Sequence, residues 1–318
     1  MGVYNKDGVD LENVVYSTND FRLTNAYDTE GTALFDNDLI TNNDDSTGTS
    51  TGYSFTSSET SKNYVLRLVA DFISDSYNYQ SFCYNYDNGL YYKFEGNDTV
   101  KIYNSSMEKI ETISIPSSTG HNNDSSYYNG NIYFPNGNAS NLYVWNIEHN
   151  TVNSLPITGI VQPSTGSTRQ VDAICNMPGL NGNLFLITRD VYTTDLTHQA
   201  SDKLAVYRYS IDNGVAELLG EITWDCVFIQ GATYYNGILY VVCNTQTTGS
   251  ASNYAGITLK VIRTDTWELV DELVVSGSFE PEGLDIIPVD NTYEIMMGMG
   301  KYSEMSKAVR YTIPYELE

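Results

Sequence analysis

One phrase returns four times along this chain and narrows what it can fold into. It reads Tyr86-Asp87-Asn88-Gly89-Leu90-Tyr91-Tyr92, then Tyr128-Asn129-Gly130-Asn131-Ile132-Tyr133-Phe134. A looser copy is Leu180-Asn181-Gly182-Asn183-Leu184-Phe185-Leu186, and a close one is Tyr235-Asn236-Gly237-Ile238-Leu239-Tyr240-Val241. Asn-Gly between alternating apolar runs marks a β-hairpin, because both residues tolerate the positive φ of a type I′ turn. The four glycines are separated by 41, 52 and 55 residues. A β-unit repeated at that period points to a propeller or a solenoid.

The strand reading extends through each unit. The second unit runs Ser126-Tyr127-Tyr128, Ile132-Tyr133-Phe134, Asn141 to Asn146 and Thr151 to Leu155, which is four strands. The 256 residues from 63 onward divide into five units of about 51 residues, the size of a four-stranded blade with some long loops. The fold expected is all-β: a five-bladed β-propeller over 63–318, a polar linker over 37–62 and a short β-repeat arm over 1–36. In that arm Tyr4, Tyr16 and Tyr27 recur with Leu11, Leu23 and Leu34 each seven residues on. Units of that size need a partner surface to hold a core. Closure of the ring needs one more strand, and Tyr64-Val65-Leu66-Arg67-Leu68-Val69 is expected to complete the last blade beside Val309 to Tyr315. Insertions are expected in the third blade, around Tyr192 to Lys203, and in the fourth, around Thr245 to Ala255.

Charge excludes some partners. The net charge is −24, with only 16 Lys and Arg. A phosphate backbone needs clustered cations for counterion release, so nucleic acid is not an expected partner. No run of about 18 apolar residues supports a membrane span. Nor does the start of the chain read as a secretory signal. Cys83, Cys175, Cys226 and Cys243 form no CxxC pair and are expected to be buried free thiols. No metal-ligand spacing appears, and neither a metal nor another cofactor is expected.

Candidate site residues come from the start of each unit. Gln80, Asn123, Gln170, Gln230 and Glu282 precede their hairpins at similar distances, so in a propeller they converge on the axis as a polar ring. His121, Asp124 and Asp172 lie beside ring members. Tyr192 and Tyr254 are loop candidates for stacking on a ligand, and so are His198, Tyr302 and Trp145. His121 next to Asp124 is the single catalytic candidate, as a general base with Arg169 and Tyr127 nearby. No nucleophile-elbow, HExxH or P-loop pattern is present.

Gln80-Ser81-Phe82, Gly120-His121-Asn122-Asn123-Asp124, Gln230-Gly231 and Glu282-Gly283 resemble the blade openings of five-bladed tail receptor-binding proteins in phages of Gram-positive bacteria. The arm, Tyr4-Asn5-Lys6-Asp7-Gly8 through Tyr27-Asp28-Thr29-Glu30-Gly31, resembles the start of tail-associated proteins from phages of such hosts. The resemblance implies a virion protein that adsorbs to a bacterial surface glycan or wall polymer without chemistry. It also implies attachment to other tail proteins through residues 1–36, and a homotrimer. This chain departs from that family in having no evident long helical stem. Two other readings stand beside it: a propeller enzyme that degrades a surface polysaccharide, and a structural virion component that binds no ligand.

Overall fold

The computed structural model describes residues 54–57, 64–65, 67–70, 79–95, 98–116, 124–135, 140–162, 167–177, 181–192, 203–223, 228–244, 257–275, 280–289, 292–301 and 304–312. The expected arm over 1–36 lies outside them. So do the interiors of both insertions, at 193–202 and 245–256. Among the described residues there is no helix.

Three short strands come first: β1 (Ser54–Ser57), β2 (Tyr64–Val65) and β3 (Arg67–Ala70). Five hairpin-built groups follow. The first sheet is β4 (Tyr79–Asn85), β5 (Leu90–Glu95), β6 (Thr99–Tyr103) and β7 (Lys109–Ser114). The second is β8 (Ser126–Tyr128), β9 (Asn131–Pro135), β10 (Asn141–Asn146) and β11 (Thr151–Pro156). The third is β12 (Ser167–Asn176), β13 (Asn183–Tyr192), β14 (Lys203–Ser210) and β15 (Val215–Thr223). β16 (Phe228–Tyr235), β17 (Ile238–Asn244), β18 (Ile257–Arg263) and β19 (Leu269–Val275) begin the fourth, and β1 then β2 extend it beyond β19. The fifth is β20 (Glu280–Val289), β21 (Thr292–Lys301) and β22 (Glu304–Thr312), with β3 outermost.

The first strands of the sheets form a ring. β4 packs on β8, β8 on β12, β12 on β16, β16 on β20, and β20 returns to β4. This is a β-propeller arrangement. The expectation of five blades is met in part: four sheets have the four strands of a blade, and the other has six because β1 pairs with β19. Residues 54–57, inside the stretch expected to be a linker, are that added strand. The expected closing strand is present as β3, which pairs Arg67 with Arg310 and Leu68 with Val309. Tyr64 and Val65 pair instead with β1.

Strict alternation on both faces explains why the strands read as continuous apolar runs. In β17, Ile238, Tyr240 and Val242 face the fifth sheet, where they meet Leu284, Ile286, Ile295 and Met297. Leu239, Val241 and Cys243 face the third, meeting Ala173, Phe185 and Val206. Each pair of successive sheets encloses such a core, and the last lies between the fifth and first sheets, where Ile287 and Met296 meet Phe82, Tyr84, Tyr91 and Tyr103. Trp145, expected in a binding loop, is instead fully buried between the first and second sheets beside Tyr92 and Phe94. It sits on β10 with its indole N–H donating to Asn150 Oδ1 at 3.0 Å.

The repeated phrase owes its form to these hairpins. Asn129 and Gly130 have φ of 47° and 73°, and Asn236 and Gly237 have 44° and 82°, the pair of positive angles a two-residue I′ turn needs. The tyrosine two before the Asn serves the turn as well. Tyr127 Oη accepts the Gly130 N–H at 2.9 Å, and Tyr234 Oη accepts that of Gly237 at 3.0 Å. Tyr128 Oη reaches the next sheet and accepts the Gly182 N–H at 2.7 Å. The first copy differs. Asn85 pairs with Leu90, so Tyr86 to Gly89 make a four-residue loop in which Gly89 alone takes positive φ.

Candidate functional site

The polar residues singled out near the axis fall at irregularities of the inner strands. Register skips Gln80 between Tyr79 and Ser81, Asp172 between Val171 and Ala173, and Gln230 between Ile229 and Gly231. In β20 it skips Glu282 together with Gly283. A bulge re-aims one side chain out of the strict alternation. Four inner strands therefore place one polar residue at corresponding bulges. In the third sheet that residue is Asp172 and not Gln170, which pairs regularly opposite Arg189 and is half-buried. Asp172, Gln230 and Glu282 are each 3% exposed, and Gln80 is half-buried.

The second sheet reaches the axis differently. Its inner strand β8 has three residues, and Asp124 lies two positions before it. Asp124 is fully buried, and its Oδ2 accepts the N–H of Ile174 at 3.0 Å and of Ala232 at 3.0 Å. One carboxyl thus joins the second, third and fourth sheets. Its Oδ1 has no hydrogen-bond partner. Burial pushes its pKa well above the ordinary carboxyl value, against the pull of the N–H donors, and the charge of Asp285 pushes the same way.

Asp285, which sequence reasoning missed, is the second axial acid. Its Oδ2 accepts the Tyr84 N–H at 2.8 Å, and its Oδ1 accepts the Ile286 N–H at 2.8 Å and the Tyr86 hydroxyl at 3.3 Å. Burial raises its pKa to about 7 even though all three donors favour the charged form. The available signal was a lone acid within Leu284-Asp285-Ile286-Ile287, since a charge in an apolar run must find donors.

Asp172 and Arg169 are committed to ion pairs. Asp172 is ion-paired with Arg189, whose guanidinium lies 4.8 Å above the Phe228 ring. Burial raises the Asp172 pKa, and Arg189 partly offsets it. Arg169 binds Asp190 at 2.7 Å, Glu221 at 3.0 Å and Tyr207 Oη at 2.9 Å. Tyr127 is held by Asp87 and the Gly130 N–H. The two groups expected to assist His121 therefore have other partners. His121, Asn123, His198, Tyr254 and Tyr302 lie outside the described residues, and Tyr192 ends β13 paired with Ser167.

Among the described residues no group of three or more His, Cys, Asp or Glu could hold a metal ion. Cys83 and Cys175 are buried free thiols, as expected, whereas Cys243 is disulfide-bonded. The described axis thus carries acceptors, buried acids and cross-sheet bonds. It presents neither a nucleophile–base pair nor a cation aimed at an open position.

No family model matches the chain, and no curated protein matches it either. Among solved structures it is similar to Myxococcus xanthus glutaminyl cyclase, with a TM-score of 0.45 and 13% identity over 79% of this chain and 97% of that one. It is also similar to a chain of a nidogen/laminin complex, with a TM-score of 0.44 and 12% identity over 82% and 96%. The WD40 repeats of RRP9 align with a TM-score of 0.41 and 8% identity over 78% and 97%. Likenesses this distant say nothing about what the chain binds or does.

Proposed function

We propose that this chain is a virion tail-associated receptor-binding protein that adsorbs to a bacterial surface glycan or wall polymer without cleaving it. In this reading it is a five-bladed propeller in which β16 to β19 are a blade, widened at its outer edge by β1 and β2. Residues 1–36 attach it to other tail proteins, and a homotrimer multiplies weak single contacts into firm adsorption.

The observation that carries the reading is how the axial charges are used. Asp124 and Asp285 accept backbone N–H groups across sheets, and Asp172 is spent on Arg189. An enzyme needs an acid or base left free to meet substrate. A ring whose charges hold the scaffold fits a protein that binds through its loops. The blade-opening motifs at Gln80, Gln230 and Glu282 and the repeat in the arm support the same assignment through their resemblance to phage tail proteins.

The test is adsorption of the purified chain to cell walls of Gram-positive bacteria before and after periodate oxidation, with released sugar assayed in parallel. Binding lost on oxidation, no sugar release, and unchanged binding by His121→Ala are expected. Sugar release abolished by His121→Ala would establish the enzyme reading instead. Absence of binding to every wall tested would make the chain a structural virion component.

A further inference from the structure

Among the described residues, the large apolar side chains left exposed include two aromatic rings, Tyr86 at 44% and Tyr293 at 45%. Both stand toward the hairpin end of the fifth sheet. Tyr293 pairs in β21 with Pro288, one residue from the end of β20, and its ring lies on the side of the fourth sheet against Tyr235. Tyr86 belongs to the β4–β5 loop of the first sheet, and its hydroxyl donates toward Ile286 O and Asp285 Oδ1 of β20. The two rings thus flank the β20–β21 hairpin, one at each seam.

Neither ring is loose. Tyr84 meets Tyr86 edge to face, with 5.1 Å between centroids. Tyr235 lies 5.2 Å from Tyr293 at 43° and is itself packed against the core between the fourth and fifth sheets. A ring fixed on its inner side and exposed on its outer side has given up rotamer freedom before any ligand arrives. Polar groups stand beside it. Asp87 and Asn88 are exposed in the same loop as Tyr86. The Asn88 side-chain oxygen accepts the Leu90 N–H at 3.1 Å, which leaves its amide N–H groups to donate outward. Asp87 and Asp285 repel a phosphate or carboxylate polymer, and the net charge of −24 acts in the same sense. Flat rings beside an acid and an amide match the mixed C–H and hydroxyl faces of an uncharged sugar. Taking its polymer from the adhesin reading, on which it rests, we propose that Tyr86 and Tyr293 form a saccharide platform, on which uncharged sugar rings of the wall polymer stack while Asp87 and Asn88 bond their hydroxyls.

The experiment measures adsorption of the full chain to Gram-positive cell walls and, separately, to a panel of immobilised uncharged oligosaccharides. Tyr86→Ala and Tyr293→Ala should each weaken both by about tenfold. Tyr293→Phe should leave both unchanged. Binding should survive a rise in salt from about 0.05 to about 0.5 M, because stacking is not screened. The wild type gives a readout that needs no variant to fold: saturating wall polysaccharide should slow nitration of Tyr86 and Tyr293 by tetranitromethane, followed by peptide mass. Wall adsorption undiminished in both alanine variants, or with neither tyrosine protected, overturns this inference and leaves the adhesin reading standing. Binding abolished by salt overturns it in favour of a charged polymer. Tyrosine-dependent binding to the panel without adsorption to any wall upholds the platform and overturns the adhesin reading. Binding to neither overturns both.

Discussion

On one side of the ring the inner strands touch at glycines, with the Asp285 carboxyl bonding beside them, and on the other the Asp124 carboxyl stands between them. Where the fourth, fifth and first sheets meet, glycines let the inner strands touch. A Cβ on Gly231 would sit 2.8 Å from Leu284 N, and one on Gly283 would sit 2.9 Å from Phe82 N. Where the second, third and fourth sheets meet, the Asp124 carboxyl fills the space and collects the Ile174 and Ala232 N–H groups. Strand length separates the two sides. β20 has ten residues and β16 has eight, so these strands run alongside their neighbours, whereas β8 has only three. The Ile174 and Ala232 N–H groups are buried, and a buried N–H must be paired. One acidic residue ahead of the strand supplies what the strand itself does not.

The comparison breaks most readily at Gly283. Its φ is +87°, which a β-branched residue does not adopt, and any side chain there meets the β4 backbone. Gly283→Val combines strain with overpacking and should cost about 4 kcal/mol or more, enough to abolish soluble folding in a marginally stable chain. Chemical denaturation and soluble yield measure it. A Gly283→Val protein with wild-type stability would mean that the strands do not touch there.

Asp124→Ala tests the opposite side. It strands two buried N–H groups at about 1–3 kcal/mol each, so a loss of about 2–6 kcal/mol is expected in the same measurement. Asp124→Asn keeps an acceptor oxygen and should cost less than Asp124→Ala. Equal losses from the two variants would show that Asp124 acts through its charge and not through the bonds it accepts. Gly231→Ala ranks next, at about 1–3 kcal/mol, because its φ is not in the left-handed region and only the crowding against the Gly283–Leu284 backbone is felt.

Much of this was legible in the sequence, and the residues show where legibility stops. Asn129-Gly130 and Asn236-Gly237 declare their turns because the constraint is local, a pair of positive φ angles. The uninterrupted apolar run Ile238 to Cys243 declares a strand buried on both faces for the same reason. β3 could be placed on the last sheet because a ring without it leaves an open edge. Register could not be read in this way. The bulge that puts Asp172 and not Gln170 at the corresponding position depends on which residues of β13 lie opposite, a fact of pairing over many residues. Counting from the hairpin glycine is blind to it. The six-stranded sheet was hidden for a related reason. Ser54–Ser57 is polar enough to read as linker, and it is a strand because the β19 edge offers it hydrogen bonds. Asp285 was visible as an acid in an apolar run, but two of its three donors lie some 200 residues away in β4 and its loop, beyond any local pattern.

The smallest expected effect separates a hydroxyl that serves one turn from one that also joins two sheets. Tyr234 Oη accepts a single N–H, that of Gly237 in its own hairpin. Tyr127 Oη makes the corresponding bond to Gly130 and also donates to Asp87, in the first-sheet loop. Burial, followed by the Asp87 contact, raises the Tyr127 pKa to about 12, so the hydroxyl keeps its proton for that donation well into alkali. Tyr234→Phe removes one neutral bond and should cost about 0.5–1 kcal/mol. Tyr127→Phe removes a neutral bond and a charge-assisted one, and should cost about 2–3 kcal/mol in the same denaturation experiment. The double variant Tyr127→Phe/Asp87→Ala decides where the excess lies. If Asp87→Ala alone costs most of what Tyr127→Phe costs and the two losses do not add, the Tyr127–Asp87 bond fastens the first sheet to the second. If the losses simply sum, Tyr127 acts through its own turn alone. The first sheet would then be held to the ring by its apolar contacts with the second sheet and by the Asp285 carboxylate on its other side.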